Sequence, residues 1–305
     1  MAARLLVTGR EGQVARSLVE RARGSDVEIV PLGRSKLDLT APEETIISAI
    51  AAARPDGVVS AAAYTQVDKA ESEPEFAFAV NEAGARAVAR AAHKLRVPLI
   101  HLSTDYVFNG TKEGAYVEGD PPEPTGVYGA SKLAGEQAVL AEHDGSVILR
   151  TAWVYSPFGS NFVKTMLRLA GDRKEITVVS DQRGNPTSAL DIADGVLTIA
   201  ANLLAGSDPA QRGIFHMTAT GDASWAEFAE AIFAASADAG GPTAFVRPIT
   251  TADYPTPAKR PANSRLDCAK LERVHCVRLP SWRSSLPQLV NRLVSQSIQS
   301  KVSQE

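Results

Sequence analysis

The run Arg4-Leu5-Leu6-Val7-Thr8-Gly9-Arg10-Glu11-Gly12-Gln13-Val14 decides how this chain folds. Its first half is a short β-branched and leucine stretch that suits a buried strand. Its second half turns through Gly9 and Gly12 into an amphipathic helix pattern that carries on to about Arg23. A strand that turns through glycines into a helix lets the backbone approach a diphosphate and aims the helix N-terminus at it. The pattern reads Gly-x-x-Gly-x-x-Ala, and Ala15 at the third position is small enough for close helix-to-strand packing. Degenerate glycine turns also occur where nothing binds; the weight here comes from position, after the first strand and before the first helix.

The next strand, Val27 to Leu32, ends at Gly33-Arg34, where a dinucleotide with a free ribose 2′-hydroxyl meets an Asp or Glu. No acid stands there. Arg34, with Arg10 from the glycine turn, supplies charge for a 2′-phosphate, which favours NADPH and leaves NADH as the alternative; the other reading makes both arginines solvated loop residues. Asp38-Leu39-Thr40 precedes a helix pattern from Pro42 to Ala53, with Pro42 at a favoured first-turn position. Gly57 to Ala62 reads as a third buried strand that continues into the loop Ala61-Ala62-Ala63-Tyr64-Thr65. Three alanines there leave space for something flat and bulky, or for tight packing beneath a helix. A long helix follows from about Pro74 to Leu95. A fourth strand, Leu99 to Ser103, then delivers Thr104 to its C-terminal edge, where ligands of doubly wound sheets collect.

The loop from Asn109 to Thr125 returns the chain to Tyr128-Gly129-Ala130-Ser131-Lys132-Leu133-Ala134-Gly135-Glu136. Tyr128 and Lys132 stand four apart, so on a helix they share one face. A tyrosine holds its proton until about pH 10, and an adjacent ammonium favours the phenolate and brings the group nearer the working range. Tyr-x-x-x-Lys alone is also met on solvated surface helices; here it follows Thr104 and the glycine turn.

Strand and helix alternate through the strand read at Ser146 to Val154. This predicts an α/β fold, a doubly wound Rossmann-type parallel sheet, with residues 1–155 as the dinucleotide-binding domain. Residues 156–294 lose the alternation. Helix patterns at 161–170 and 191–204, short strands at 176–180 and 213–217, a capping box at Ser224-Trp225-Ala226-Glu227 and a last helix at 281–294 predict a smaller, irregular substrate lobe, some of whose segments return to the sheet. Residues 295–305 are polar enough to form a flexible tail.

Composition sets outer bounds. At 305 residues the chain can bury a core without staples, and a net charge of −3 gives no general pull toward nucleic acid. Cys268 and Cys276 fit neither a metal spacing nor a disulfide framework, and the histidines at 93, 101, 143, 216 and 275 are scattered, so no metal is expected. No run reaches the roughly eighteen apolar residues of a membrane span. Arg4 to Val7 is too short for a signal h-region, and a cytoplasmic protein is expected.

With these pieces placed, the chain resembles the extended short-chain dehydrogenase/reductases, and within them the reductases of nucleotide-linked 4-keto-6-deoxy sugars. The resemblance rests on Gly9-x-x-Gly12-Gln13-Val14, Ala61 to Thr65 with Val67-Asp68-x-Ala70-Glu71, Ser103 to Phe108, Tyr128 to Glu136 and Leu149-Arg150-Thr151-x-Trp153-Val154-Tyr155. It continues through Gly184-x-Pro186-Thr187, Arg260-Pro261-x-x-Ser264 and Leu279-Pro280-x-Trp282. It implies Tyr128 as proton donor, Lys132 as the residue that binds the nicotinamide ribose and tunes that tyrosine, and Thr104 as the hydroxyl on the reacting oxygen. Asp105 and Trp153 resemble substrate contacts, the indole lying against the sugar and its nucleotide; the other reading of Trp153 is a core indole on a strand. Gly9, Arg10, Gly12, Gln13, Val14, Arg34, Asp38, Leu39, Ala62, Ala63, Tyr64 and Thr65 match stretches that hold the dinucleotide. The implied activity is NADPH-dependent reduction of a C4 keto group, most readily dTDP-4-dehydro-L-rhamnose to dTDP-L-rhamnose. A nucleotide-sugar epimerase or dehydratase and a non-catalytic NADP-binding regulatory subunit are the alternatives. Some relatives pair through magnesium held by glutamates; Ser17 and Leu190 stand at the matching positions, so no metal is expected and monomer and homodimer both stay open. Asn109 replaces the more usual Asp of the family.

Overall fold

In the computed structural model, which describes residues 2–302, the alternation read from the sequence becomes six parallel strands. They are β1 Ala3–Thr8, β2 Val27–Leu32, β3 Gly57–Ser60, β4 Leu99–Thr104, β5 Ser146–Thr151 and β6 Gly213–His216, in the spatial order β2-β1-β3-β4-β5-β6. The residues of β3, β4 and β5 are buried throughout, as parallel strands covered on both faces must be. Side chains of β1 alternate between two cores. Leu6 faces Ile46 and Ile50 of α2 (Glu43–Ala52), Val88 of α3 (residues 74–95) and Val139 of α4 (Val127–Glu142). Leu5 and Val7 face Ala15 and Leu18 of helix α1 (Gln13–Arg21), with Ile192 and Val196 of the helix Ala189–Ala205.

The second half builds a third core. Helix α5 (Phe162–Ala170) contributes Val163 and Met166, α7 (Trp225–Asp238) contributes Phe228 and Ile232, and α8 (Trp282–Val302) contributes Leu286 and Val290. They pack over the paired strands Glu175–Val179 and Phe245–Ile249. Two of its segments join the first half: β6 pairs with β5, and α6 (Ala189–Ala205) lies beside α1. Ser224 and Glu227 form the capping box read at the start of α7.

Three elements differ from the sequence reading. The strand expected to run to Val154 stops at Thr151, because Trp153 takes a left-handed conformation (φ +47°), and Val154–Tyr155 pairs with Thr187–Ser188 instead. Helix α3 is not uniform: an α-turn at Pro74–Phe78 and an α-helix at Ala85–Leu95 flank a π-helical stretch, Ala79–Gly84. Helix α8 continues past the expected Val294 to Val302. Among the described residues no helix is long and apolar enough to cross a membrane.

Candidate active site

Between β1 and β3 the strand order reverses, which opens a crevice at the carboxyl ends of the strands. A cavity of about 610 Å³ lies there. Gly9, Arg10, Gly12, Gln13 and Val14 line it from the glycine turn, Arg34, Asp38 and Leu39 from the segment after β2, Ala62, Ala63 and Thr65 from the alanine loop, and Tyr128 and Lys132 from α4. Gly9 has φ +90°, which only glycine adopts without strain, and its Cα lies in close packing with Ala62. Around Gly12 the corresponding space is open. The Thr8 hydroxyl accepts from the backbone N–H of Ala61 and of Ala62, both at 3.0 Å, and so sets the alanine loop beside the turn. Gln13 reaches across the cavity: its Oε1 accepts from Ser156 Oγ at 2.9 Å and Asn161 Nδ2 at 3.1 Å.

Arg10 and Arg34 are both exposed at the cavity wall. The Asp38 carboxylate accepts from the Thr40 N–H and hydroxyl, and these bonds hold it below the usual carboxylate range. Tyr64 does not share the cavity. Its ring packs edge-on against Phe76, its hydroxyl donates to Glu73 Oε2 at 2.9 Å, and its main chain is clasped at both N–H and C=O by the Asn81 side chain. The sequence placed Tyr64 among the dinucleotide contacts; its side chain is buried in the first core away from the cavity lining, where it helps to shape the loop.

Tyr128 sits in the first turn of α4, whose N-terminus is capped by Glu71 Oε1 accepting from the Val127 N–H at 2.9 Å. Gly129 and Gly135 bring the helix close: a Cβ on the first would collide with the Tyr106 carbonyl and on the second with the Asn81 carbonyl. The Thr104 hydroxyl lies beside the Tyr128 phenol, close enough to act on it. Burial pushes the phenol up to about 12, the Thr104 contact draws it back in part, and the Asp105 charge adds to the rise. Lys132 is buried and donates to the Leu102 carbonyl at 2.6 Å, 3.4 Å from His101 Nε2. Burial brings its ammonium down to about 8, against the pull of Glu136. In this arrangement the Lys132 ammonium points at the Leu102 carbonyl, and burial dominates the state of the phenol.

Beneath the pair, Glu136 and Arg150 form a fully buried ion pair at 2.6 Å, and the Ser103 hydroxyl also donates to Glu136. Ion pairs in such settings stabilise only when their geometry satisfies the desolvated groups. This one locks α4 to β4 and β5.

Asp105 is buried beside Thr104, which donates to its Oδ1 at 2.9 Å, while Oδ2 has no partner. Burial pushes its carboxyl up to about 6, opposed by the nearby Ser264 and Thr104 hydroxyls. Ser264 arrives on a loop held by Arg260, whose guanidinium meets Asp68 at 2.7 Å. Trp153 is half-buried, its indole stacked on Trp225 with centroids 3.5 Å apart and planes within 5°. Gly184 makes room for it, since a Cβ there would overlap the indole at 2.4 Å. Neither a core indole nor a free surface one, Trp153 is half of an aromatic wall. Trp225 also lines a second cavity of about 580 Å³ in the irregular lobe, with Phe162, Met166, Arg247, Tyr254 and Arg260. Trp225 and Asn81 escaped the sequence reading: the first appeared only as a helix start, and the second lies in a π-helical stretch that has no sequence signal of its own. The histidines are not all apart in space, since His93 and His143 come together with Asp144.

A crevice over a glycine turn, closed by a helix that carries tyrosine and lysine one turn apart, defines a short-chain dehydrogenase/reductase. The family described as RmlD substrate binding domain matches residues 3–295. The chain is 54% identical over 287 residues to a dTDP-4-dehydrorhamnose reductase of Sinorhizobium fredii (94% of this chain, 96% of the other). It is 39% identical over 294 residues to the enzyme of that name from Escherichia coli K12 (95% and 97%). A solved dTDP-4-dehydrorhamnose reductase from Bacillus anthracis, in complex with NADP, superposes with a TM-score of 0.88 at 36% identity, covering 95% of this chain and 99% of that one. The chain belongs to the dTDP-4-dehydrorhamnose reductase family.

Proposed function

We propose that the protein reduces the C4 keto group of dTDP-4-dehydro-L-rhamnose to give dTDP-L-rhamnose, with NADPH as reductant. The observation that carries this reading is the Tyr128–Thr104 hydroxyl pair at the end of β4, beside a dinucleotide-sized cavity that Tyr128 and Lys132 also line. The cavity fits the cofactor. The open space at Gly12 and the N–H groups opening α1 suit the diphosphate, Arg10 and Arg34 suit the 2′-phosphate, and Leu39, Ala62, Ala63 and Thr65 form apolar and small walls. When bound, NADPH supplies the hydride that adds to the sugar carbon.

Tyr128 donates the proton to the sugar oxygen. Burial keeps the phenol protonated at neutral pH, so its proton is present to be given in the reductive direction. Thr104 orients the same oxygen. Lys132 holds the cofactor ribose at the foot of the cavity. Asp105, with one oxygen unpartnered, accepts a sugar hydroxyl, and the Trp153–Trp225 wall lies against the sugar and its nucleotide. The second cavity, with Arg247 and Arg260, suits the nucleotide diphosphate. In this reading residues 1–155 form the dinucleotide domain and residues 156–294 mainly the substrate lobe. With Cys268 and Cys276 both free, the protein works in the cytoplasm as a monomer or homodimer.

The test offers purified protein NADPH with dTDP-, UDP- and GDP-linked 4-keto-6-deoxy sugars. NADPH consumption greatest with the dTDP sugar is expected. Stoichiometric NAD carried through purification would point to an epimerase or dehydratase instead, and NADPH binding without turnover of any sugar would point to a regulatory subunit.

A further inference from the structure

At the end of α4 remote from Tyr128, three side chains converge that the reductase chemistry does not use. His93 lies in the last turn of α3, His143 caps the C-terminus of α4, and Asp144 follows it. One ligating atom from each falls within 4.8 Å of the others. His143 is only 7% exposed, and its Nε2 faces the Val97 carbonyl at 2.9 Å. A carbonyl only accepts, so Nε2 carries the proton and Nδ1 presents a lone pair. That Nδ1 is buried without a hydrogen-bond partner and stands 3.9 Å from Asp144 Oδ1. The rings of His93 and His143 meet edge to face, with centroids 5.6 Å apart. Gly145 completes the fit, since a Cβ there would lie 2.7 Å from the His143 ring.

We propose that His93, His143 and Asp144 form a binding site for a divalent transition cation of the zinc class, separate from the reductase site. Two imidazoles and a carboxylate are the donor set that zinc takes, whereas magnesium and calcium prefer oxygen alone. Ligands at zinc bond length around a tetrahedral ion sit roughly 3.4 Å apart. Rotation of the exposed His93 and Asp144 side chains closes the set on the fixed His143 nitrogen, and water takes the remaining position. The Val97 carbonyl plays the orienting part that a backbone acceptor commonly plays behind a metal-bound histidine. Arg212 is close enough to act on His143, and its charge opposes a cation; the Asp144 carboxylate offsets it. An ion held there ties the C-terminal end of α3 to that of α4.

The test titrates tag-free, chelator-stripped full-length protein with zinc chloride by calorimetry. One-to-one saturable binding is expected, with magnesium chloride giving none. His93→Ala and Asp144→Ala, both surface changes outside the catalytic machinery, should each weaken zinc by roughly tenfold or more, the loss seen even for outer-shell partners. Zinc should raise Tm in the wild type and not in His93→Ala. Cobalt(II) in place of zinc should give the visible bands of a four-coordinate ion, lost in His93→Ala. Absence of saturable zinc binding, or binding undiminished in both variants, overturns the site.

Discussion

Asp105 has one carboxylate oxygen hydrogen-bonded and the other without a partner, and burial brings its carboxyl up to about 6 from an ordinary 3.8. A folded-state value above the unfolded one means the fold favours the protonated acid. Its contribution to stability is fully present below 3.8 and is lost as pH rises through 6, a swing of about 3 kcal/mol at one pKa unit per 1.36 kcal/mol. Asp105→Asn mimics the protonated form. Its stability relative to wild type should therefore climb by about that amount between roughly pH 4 and pH 7 in denaturant melts, and a difference that stays flat would contradict the burial argument. Arg34 carries a second prediction. Replacing it by Asp sets a repulsive charge against a 2′-phosphate and offers an acceptor to a 2′-hydroxyl, so NADPH should weaken by roughly ten- to a hundredfold relative to NADH, as for a lost charged hydrogen bond. Equal losses for both cofactors in binding titrations would return Arg34 to the solvated loop. At this scale Tyr128, Lys132 and Thr104 were legible because their spacing and strand-end placement are written in the chain. The direction of the Lys132 ammonium was not, since it depends on the Leu102 carbonyl that folding brings beneath it.

Helix α3 is the element whose irregularity matters most. Its π-helical stretch places Asn81 against Tyr64 at both main-chain groups and against Ser131 Oγ at 3.0 Å, so one side chain joins the alanine loop to the helix that carries Tyr128. Asn81 is 2% exposed, and Asn81→Ala would leave several buried groups unpaired at about 1–3 kcal/mol each. Thermal melts should show Tm falling by many degrees, with Asn81→Asp recovering part through the acceptor it keeps on the Tyr64 N–H. A Tm within a degree or so of wild type would remove Asn81 from this role. The strands and most helix bounds could be read because each is a local pattern of apolar residues. The π-helical stretch and the left-handed Trp153 could not. The first has ordinary helix composition, and the second is a conformation tryptophan adopts only because Trp225 and Gly184 hold the indole from both sides.

Across the whole molecule the two halves are tied both at the site and along α1. Arg260 meets Asp68, Gln13 meets Ser156 and Asn161, and Arg292 meets Glu20 at 2.6 Å. These pairs are far apart in the chain and none is foreshadowed by spacing, which is why the second half could be recognised by family motifs but not folded from its periodicity. Arg260→Ala releases the loop that brings Ser264 to Asp105, so it should raise KM for the sugar nucleotide several-fold and leave NADPH affinity unchanged. Equal loss of both would mean that the loop serves the fold as a whole. The account stands on proton donation by Tyr128 to a keto sugar. The direct measurement is the rate of NADPH oxidation with dTDP-4-dehydro-L-rhamnose, wild type beside Tyr128→Phe, together with NADPH binding by both. The account predicts steady turnover by the wild type and a fall of roughly 10²–10⁴-fold in the variant with cofactor binding unchanged, the range that general acid help supplies. A wild type that leaves NADPH unoxidised, or a Tyr128→Phe protein that turns over near the wild-type rate, would contradict it.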